Sequence, residues 1–238
     1  MNFCEINLGE THIRLTTDLS NHSLEEFILN IRFDLKKYIN QNNDFLISLQ
    51  PVSDDDDDLP LIVKTMLDSS KIADVGPMAC VAGSISELSL NYLINNKSSY
   101  SIVENGGDIA LVNDKKVLCG IYSNNKVLEN NLAFVIKPRR KILGICTSSG
   151  RIGHSISFGE SDSVTVLADS PSVADGLATN IANEVKGDTS EDSIYNALNF
   201  AEEFRAFFNG LLIVCDDNVA TMGKLPKIIE TNKFQVKL

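Results

Sequence analysis

Two stretches of the chain gather carboxylates, hydroxyls and glycines with little basic charge nearby. The first is Val103-Glu104-Asn105-Gly106-Gly107-Asp108-Ile109, an apolar segment that runs into a double glycine with acids on both sides. The second runs from Cys146-Thr147-Ser148-Ser149-Gly150 through Gly153-His154-Ser155 to Ala174-Asp175-Gly176-Leu177-Ala178-Thr179. Carboxylates and hydroxyls are hard oxygen ligands, and glycine turns present backbone N–H groups with no side chain in the way. Such residues suit a pocket for a phosphorylated ligand, held through backbone amides and a hard metal ion.

Each piece also has a plainer reading. Asp175 and Thr179 lie one turn apart on a predicted helix and so share a face, where they can supply part of an octahedral Mg²⁺ shell completed by water and substrate phosphates. The same pair suits an acid favoured by the helix dipole and a threonine bonded back to the preceding turn. Asn105-Gly106-Gly107 followed by Asp108 can bind an anion or simply close a hairpin. Thr147-Ser148-Ser149-Gly150 carries the same ambiguity. His154 stands between these loops and the Asp175 helix, where it can serve as a general base near neutral pH or as a structural histidine. The chain has no Walker loop, no GxGxxG after a strand, no HExxH and no GxSxG, which disfavours nicotinamide dehydrogenases, P-loop enzymes and serine hydrolases of those types.

Composition narrows the partners. The chain has 238 residues, 43% hydrophobic and 22% charged, with a formal net charge of -11. That length can bury a substantial core, and the acidity argues against nucleic acid or an anionic membrane as the main partner. No apolar run approaches the roughly 20 residues that span a bilayer. The start, Met1-Asn2-Phe3-Cys4-Glu5, lacks a basic region followed by an apolar one, so a soluble cytoplasmic protein is expected. The five cysteines, Cys4, Cys80, Cys119, Cys146 and Cys215, form no CxxC pair and read as small core residues, with Cys146 beside the Thr-Ser-Ser-Gly turn the one to watch.

The elements that must position these residues follow from periodicity. Strands are expected at Cys4–Leu8, His12–Thr16 and Phe45–Leu49, then at Tyr100–Glu104, Asp108–Val112, Val117–Tyr122, Leu132–Ile136, Ile142–Thr147, Ser163–Ala168 and Leu211–Cys215. Ser23-Leu24-Glu25-Glu26 reads as a capping box that opens a helix with Leu24, Phe27, Ile28, Ile31, Leu35 and Tyr38 on one face. Further helices are expected over Leu61–Lys71, from Pro77 to about Asn95, over Ser172–Val185 and over Asp192–Phe208. Ala79, Ala82, Gly83, Ser84 and Ser86 give the second of these a small-residue face that admits a neighbouring backbone or a flat ligand. The acids Asp54–Asp58 repel one another and read as a solvated loop, and the tail after Gly223 as irregular. With no internal repeat and no dividing linker, the pattern implies one α+β domain spanning residues 1–238, a largely antiparallel sheet flanked by helices.

In order, these segments resemble the ApbE-like flavin transferase superfamily, and most closely a functionally uncharacterised, largely archaeal subfamily of ApbE-like proteins. The resemblance rests on Val75-Gly-Pro-Met-Ala-Cys-Val-Ala-Gly-Ser, Val103-Glu-Asn-Gly-Gly-Asp-Ile, Cys146-Thr-Ser-Ser-Gly, Gly153-His-Ser-Ile-Ser-Phe-Gly and Ala174-Asp-Gly-Leu-Ala-Thr, and covers most of residues 10–225. It implies FAD or FMN as ligand and Mg²⁺ as metal, with transfer of FMN from FAD to a threonine of an acceptor protein and release of AMP. By the resemblance, Asp175 and Thr179 match the metal ligands, Asn105, Gly106 and Gly107 the turn of the flavin pocket, and Thr147-Ser148-Ser149-Gly150 its Ser-Thr-Ser-Gly segment. His154 matches the histidine that precedes an Asp-Pro-Arg-Thr-Gly stretch in the transferases. Here Ser-Ile-Ser-Phe-Gly follows His154 instead, and Pro77-Met78-Ala79-Cys80 replaces a Lys-Gly segment. Two rivals stay open: an enzyme or accessory factor of sulfur amino-acid (homocysteine) metabolism centred on Cys146 and Cys80, and a non-catalytic scaffold whose small-residue faces make homo-oligomer contacts.

Overall fold

Short apolar strands assemble one long antiparallel sheet, and the described residues of the two chemistry-bearing stretches fall on its middle strands or on a helix packed against them. The computed structural model describes residues 1–121, 131–149 and 161–232. The strands are β1 (Asn2–Leu8), β2 (Thr11–Thr17), β3 (Ser101–Asn105), β4 (Asp108–Asn113), β5 (Val117–Gly120), β6 (Leu132–Ile136), β7 (Arg139–Ser148), β8 (Ser163–Ala168), β9 (Gly210–Cys215), β10 (Asn218–Gly223) and β11 (Lys227–Glu230). Eight of them pair in the order β1-β2-β3-β4-β7-β8-β9-β10, and a separate sheet has the order β11-β6-β5. Every pairing among the described residues is antiparallel.

The helices are α1 (Leu24–Ile39), α2 (Asn43–Ile47), α3 (Leu61–Ala73), α4 (Val81–Asn95), α5 (Pro171–Asn183) and α6 (Ser190–Ala201), with a 3₁₀ turn over Pro77–Cys80. They cover one face of the large sheet. Toward β1–β4, α1, α3 and α4 bury Leu24, Ile28, Met66 and Leu90 against Ile13, Leu15 and Val103. Toward β7–β9, α5 and α6 bury Leu177, Ile181 and Ala197 against Val164, Val166 and Ile213. The opposite face carries the small sheet, with Phe134, Ile136 and Val117 packed on Leu143, Ile145, Leu167 and Leu212. Each fully buried side chain of this size contributes about 1.5–3 kcal/mol.

The small-residue face of α4 serves close packing. A Cβ on Gly83 would stand 2.5 Å from the Pro171 carbonyl oxygen and 2.6 Å from the Asp175 Cβ. A Cβ on Gly176 would stand 2.7 Å from both Ala73 Cβ and Cys80 Sγ, and one on Gly144 2.5 Å from Pro171 Cα. These contacts leave α5 seated between α3, α4 and β7 with almost all of its residues buried.

Three expectations need correction. Phe45–Leu49 is not a strand: Asn43–Ile47 form a short helix, in which Phe45 is buried while Leu46 and Ile47 are exposed. Three apolar residues in a row fit one buried position on a helical turn as readily as a strand. Phe45 meets Tyr38 edge-on, with ring centroids 5.1 Å apart. Second, the Ser23 side chain makes no capping bond; its φ of -99° and ψ of 42° lie outside the extended conformation that a capping side chain uses. Third, the tail is not wholly irregular, since β11 pairs with β6 from Lys227↔Val135 to Glu230↔Leu132. The strand β10, which pairs with β9, was also not anticipated. Asp54–Asp58 do form a surface loop, stitched by the Asp56 and Asp58 amides donating to Asp54 and Asp56 side chains. Among the described residues, no helix is long and apolar enough to cross a membrane.

Candidate functional site

The β3–β4 hairpin brings the first stretch to the start of α4. Gly106 and Gly107 have φ of +63° and +103°, the pair of left-handed conformations that a two-residue hairpin of type I′ requires. A Cβ at either position would meet nothing within 4 Å, so the turn has open space around it. Asn105 is buried and donates through Nδ2 to the Ala82 carbonyl at 3.3 Å. Ser86 Oγ donates to the Asp108 carbonyl at 2.9 Å. Both bonds tie the hairpin to the first turns of α4.

Asp108 opens β4 with its carboxyl among the helices. The register Ile109↔Ile145 and Ala110↔Gly144 sets it opposite Cys146. Burial pushes the Asp108 carboxyl up to about 7, against the pull of hydrogen bonds from the Cys146 thiol and the Thr147 N–H. Asp175, on the adjoining turn of α5, is pushed well above the usual carboxylate range by burial and then by the charge of Asp108. Backbone N–H groups of Gly83 and Ala82 oppose that rise, and the Gly83 nitrogen lies 2.7 Å from Asp175 Oδ2. Thr179, one turn further along α5, is buried as well.

Two buried carboxyl groups therefore face one another across the α4–α5–sheet junction, and neither enters an ion pair among the described residues. Two like charges in a dry site repel, and either a proton or a cation relieves them. No group of three or more His, Cys, Asp or Glu side chains arranged to hold a metal occurs among the described residues. A cation here would take carboxylate oxygen from Asp175 or Asp108 and the Thr179 hydroxyl, and complete its shell from water or a ligand, the habit of Mg²⁺. The residues present fit that ion.

The rest of the second stretch divides. Thr147 turns its hydroxyl toward Thr165, 2.9 Å away, while its amide serves Asp108. Ser148 is buried, and its hydroxyl has no hydrogen-bond partner among the described residues. Ser149 is half-buried at the end of that segment. Gly150 and His154 lie outside the described residues.

Cys80, Cys119, Cys146 and Cys215 are buried, as core cysteines should be. Burial pushes the Cys146 thiol well up, and the charges of Asp108 and Asp175 push it further; Cys80 is raised by burial and then by Asp175. The Cys146 Sγ–H has two acceptors in reach, the Asp108 carboxyl and the Pro171 carbonyl at 3.3 Å. These are neutral thiols rather than poised nucleophiles.

Reading the chain alone missed Glu87. One of its carboxylate oxygens accepts from Ser170 Oγ at 2.8 Å, from the Ser172 N–H at 3.0 Å and from Ser172 Oγ at 2.7 Å. The available signal was an acid in a small, apolar helical run with no basic residue four positions away, since Gly83 and Asn91 occupy those places. Two clefts, of about 480 Å³ and 320 Å³, lie away from the acid pair; the larger is at the far end of α4, against Tyr92 and Asn96.

A family model described as "AbpE bacteria" matches residues 3–203. The UPF0280 protein of Methanobrevibacter smithii is 60% identical over 238 residues, covering 100% of both chains. That of Methanothermobacter thermautotrophicus is 46% identical over 231 residues, covering 97% of this chain and 89% of its own. Among solved structures, a mutant of the flavin transferase ApbE from Vibrio cholerae aligns with a TM-score of 0.59 at 15% identity, covering 93% of this chain and 97% of that one. The apo flavinyl transferase ApbE of Pseudomonas stutzeri aligns with a TM-score of 0.59 at 10% identity, covering 98% and 94%. At such identities the likeness is one of fold, and it agrees with the ApbE-like architecture expected from the motifs.

Proposed function

This chain belongs to the UPF0280 family of ApbE-like proteins, and from that premise we propose that it binds a flavin nucleotide with Mg²⁺ and transfers FMN from FAD to a threonine of an acceptor protein. The observation that carries the reading is the facing pair Asp108 and Asp175, buried, raised in pKa and without a cationic partner among the described residues. The structural neighbours named as flavin transferases support the substrate class.

In this reading Asp175 and Thr179 would hold the metal, with Asp108 adding charge from the sheet side. The ion would neutralise the FAD diphosphate and the charge that develops on the transferring phosphoryl group. The open Gly106-Gly107 turn offers backbone N–H groups to phosphate oxygens. The α5 N-terminus is not free for that task, because Glu87 already caps it. The acceptor threonine oxygen bonds to the FMN phosphorus as the bond to the AMP phosphate breaks, and the hydroxyl proton passes to a base, the role assigned to His154. Asn105, fixed to Ala82, keeps the hairpin docked while this occurs.

The rival readings draw less from the site. A thiol-centred reaction needs an accessible thiolate, whereas Cys80 and Cys146 are buried and neutral. A scaffold built on the small-residue face of α4 needs that face free, whereas α5 occupies it.

The test is a titration of metal-stripped protein with FAD, with and without Mg²⁺, beside Asp175→Ala. Magnesium-dependent FAD binding that the variant loses supports the reading. FAD binding indifferent to Mg²⁺ and to Asp175, or no binding in any arm, overturns it.

A further inference from the structure

α4 grips α5 at two levels one helical turn apart. At the upper level the Glu87 carboxylate takes three hydrogen bonds from the first turn of α5, two from Ser172 and one from Ser170. Ser69 of α3 joins the same knot by donating to Ser172 Oγ at 2.7 Å. At the lower level the Gly83 N–H meets Asp175 Oδ2. Gly83 and Glu87 are four apart and share a face of α4, as Ser172 and Asp175 share a face of α5. Ser172 is 1% exposed, so its N–H and hydroxyl are shielded from water and depend on the half-buried Glu87 for their acceptor.

Nothing about helix packing alone demands an acid at this place. Glu87 enters no ion pair among the described residues, and its counter-charge is the partial positive end of α5 itself. A carboxylate fixed on one helix and bonded to the N-terminal turn of another sets how far the second slides along the first. Asp175 is one turn downstream of that clamp, so the slide decides whether its carboxyl reaches the Gly83 amide and faces Asp108.

We propose that Glu87 is the positioning residue of the acid site: by capping α5 from α4 it sets where Asp175 stands, without touching the ligand. For the metal-binding consequence this inference rests on the reading above, and the experiment separates the two.

Glu87→Ala, Glu87→Gln and Ser172→Ala are compared with the parent protein by two measurements: amide exchange at Gly83, relative to Leu15 in β2, and Mn²⁺ affinity by electron paramagnetic resonance. Glu87→Ala is expected to speed Gly83 exchange relative to Leu15 and to weaken Mn²⁺ binding about tenfold or more, the scale on which supports behind a metal ligand act. Glu87→Gln keeps an acceptor oxygen and is expected to restore both to within about threefold. Ser172→Ala removes one donor and is expected to move both in the same direction by less. A folded Glu87→Ala with parent-like Gly83 exchange overturns the proposal, as does Glu87→Gln as damaging as Glu87→Ala. If Glu87→Ala does not fold, Ser172→Ala decides: faster relative exchange at Gly83 supports the proposal and unchanged exchange overturns it. A parent protein that binds no Mn²⁺, but whose Gly83 exchange still responds to Glu87→Ala, overturns the metal reading and leaves the positioning role standing.

Discussion

The Gly83 amide nitrogen lies 2.7 Å from Asp175 Oδ2, while a Cβ on residue 83 would lie 2.6 Å from the Asp175 Cβ. The same close approach that gives the carboxylate its N–H donor leaves no room for any side chain. Backbone, not a basic side chain, therefore holds the acid, and among the described residues no basic side chain competes with a cation for Asp175.

Gly83→Ala follows directly. The methyl group must displace the Pro171 carbonyl or Asp175, so a loss of about 1–3 kcal/mol in stability is expected from overpacking. Urea unfolding measures it, and Mg²⁺ affinity should fall in the same variant. An unchanged midpoint would show that α4 and α5 separate more easily than this contact implies.

The acid pair makes metal-free stability depend on pH with a definite sign. The folded pKa of Asp108 is raised from 3.8 to about 7, so between those values the native state binds more protons than the unfolded chain. Stability contributed by this group is then lost as pH rises through that window, the reverse of an ordinary salt-bridged acid. Asp108→Asn removes the titration and relieves Asp175. In metal-free buffer it should melt higher than the parent protein at pH 8, and the gap should shrink toward pH 5. A lower melting temperature at pH 8 would count against the facing pair.

Thiol reactivity should be sparse. At pH 8 in the native state, Cys80, Cys119, Cys146 and Cys215 should react slowly with Ellman's reagent, because burial raises the thiols of Cys80, Cys119 and Cys146 and all four are shielded. Only Cys4 is half-buried, and its thiol is raised by burial and by Glu25. All five should titrate after unfolding. Fast native labelling of Cys146 that a ligand blocks would revive the thiol-centred reading.

The hairpin turn is limited by conformation rather than by crowding. Gly107→Ala should cost about 1–2 kcal/mol, because a residue with a Cβ is strained at φ of +103° although no atom stands in its way. Gly106→Asn should be near neutral, since Asn tolerates the left-handed region at that place in a type I′ turn. Equal losses at both positions would point to contacts with the neighbouring chain instead.

Much of the scaffold could be read locally. Alternation placed β2, short apolar runs between turn residues placed β4, β6 and β8, and the 3.6-residue period put Leu24, Ile28, Ile31 and Leu35 on the buried face of α1. The paired glycines signalled the turn, and spacing put Asp175 and Thr179 on one face of α5. Where the local signal was weak it misled. A three-residue apolar run could not separate the α2 helix from a strand, and Ser23 had a capping pattern without the backbone angles to use it.

What the sequence alone determined is the set of chemical groups, the turns and the periodicities, because these depend on neighbours within a few residues. Only the tertiary structure decided that Asp108 and Asp175 feel each other's charge, that the buried Cys146 of β7 lies within reach of both, and that Glu87 caps a helix far along the chain. The pairing of β11 with β6 is of the same kind. Such encounters depend on which surfaces meet once long loops have closed. The three glycines that let α5 sink against α4, β7 and the Cys80 turn leave no periodic trace from which that meeting could be foreseen.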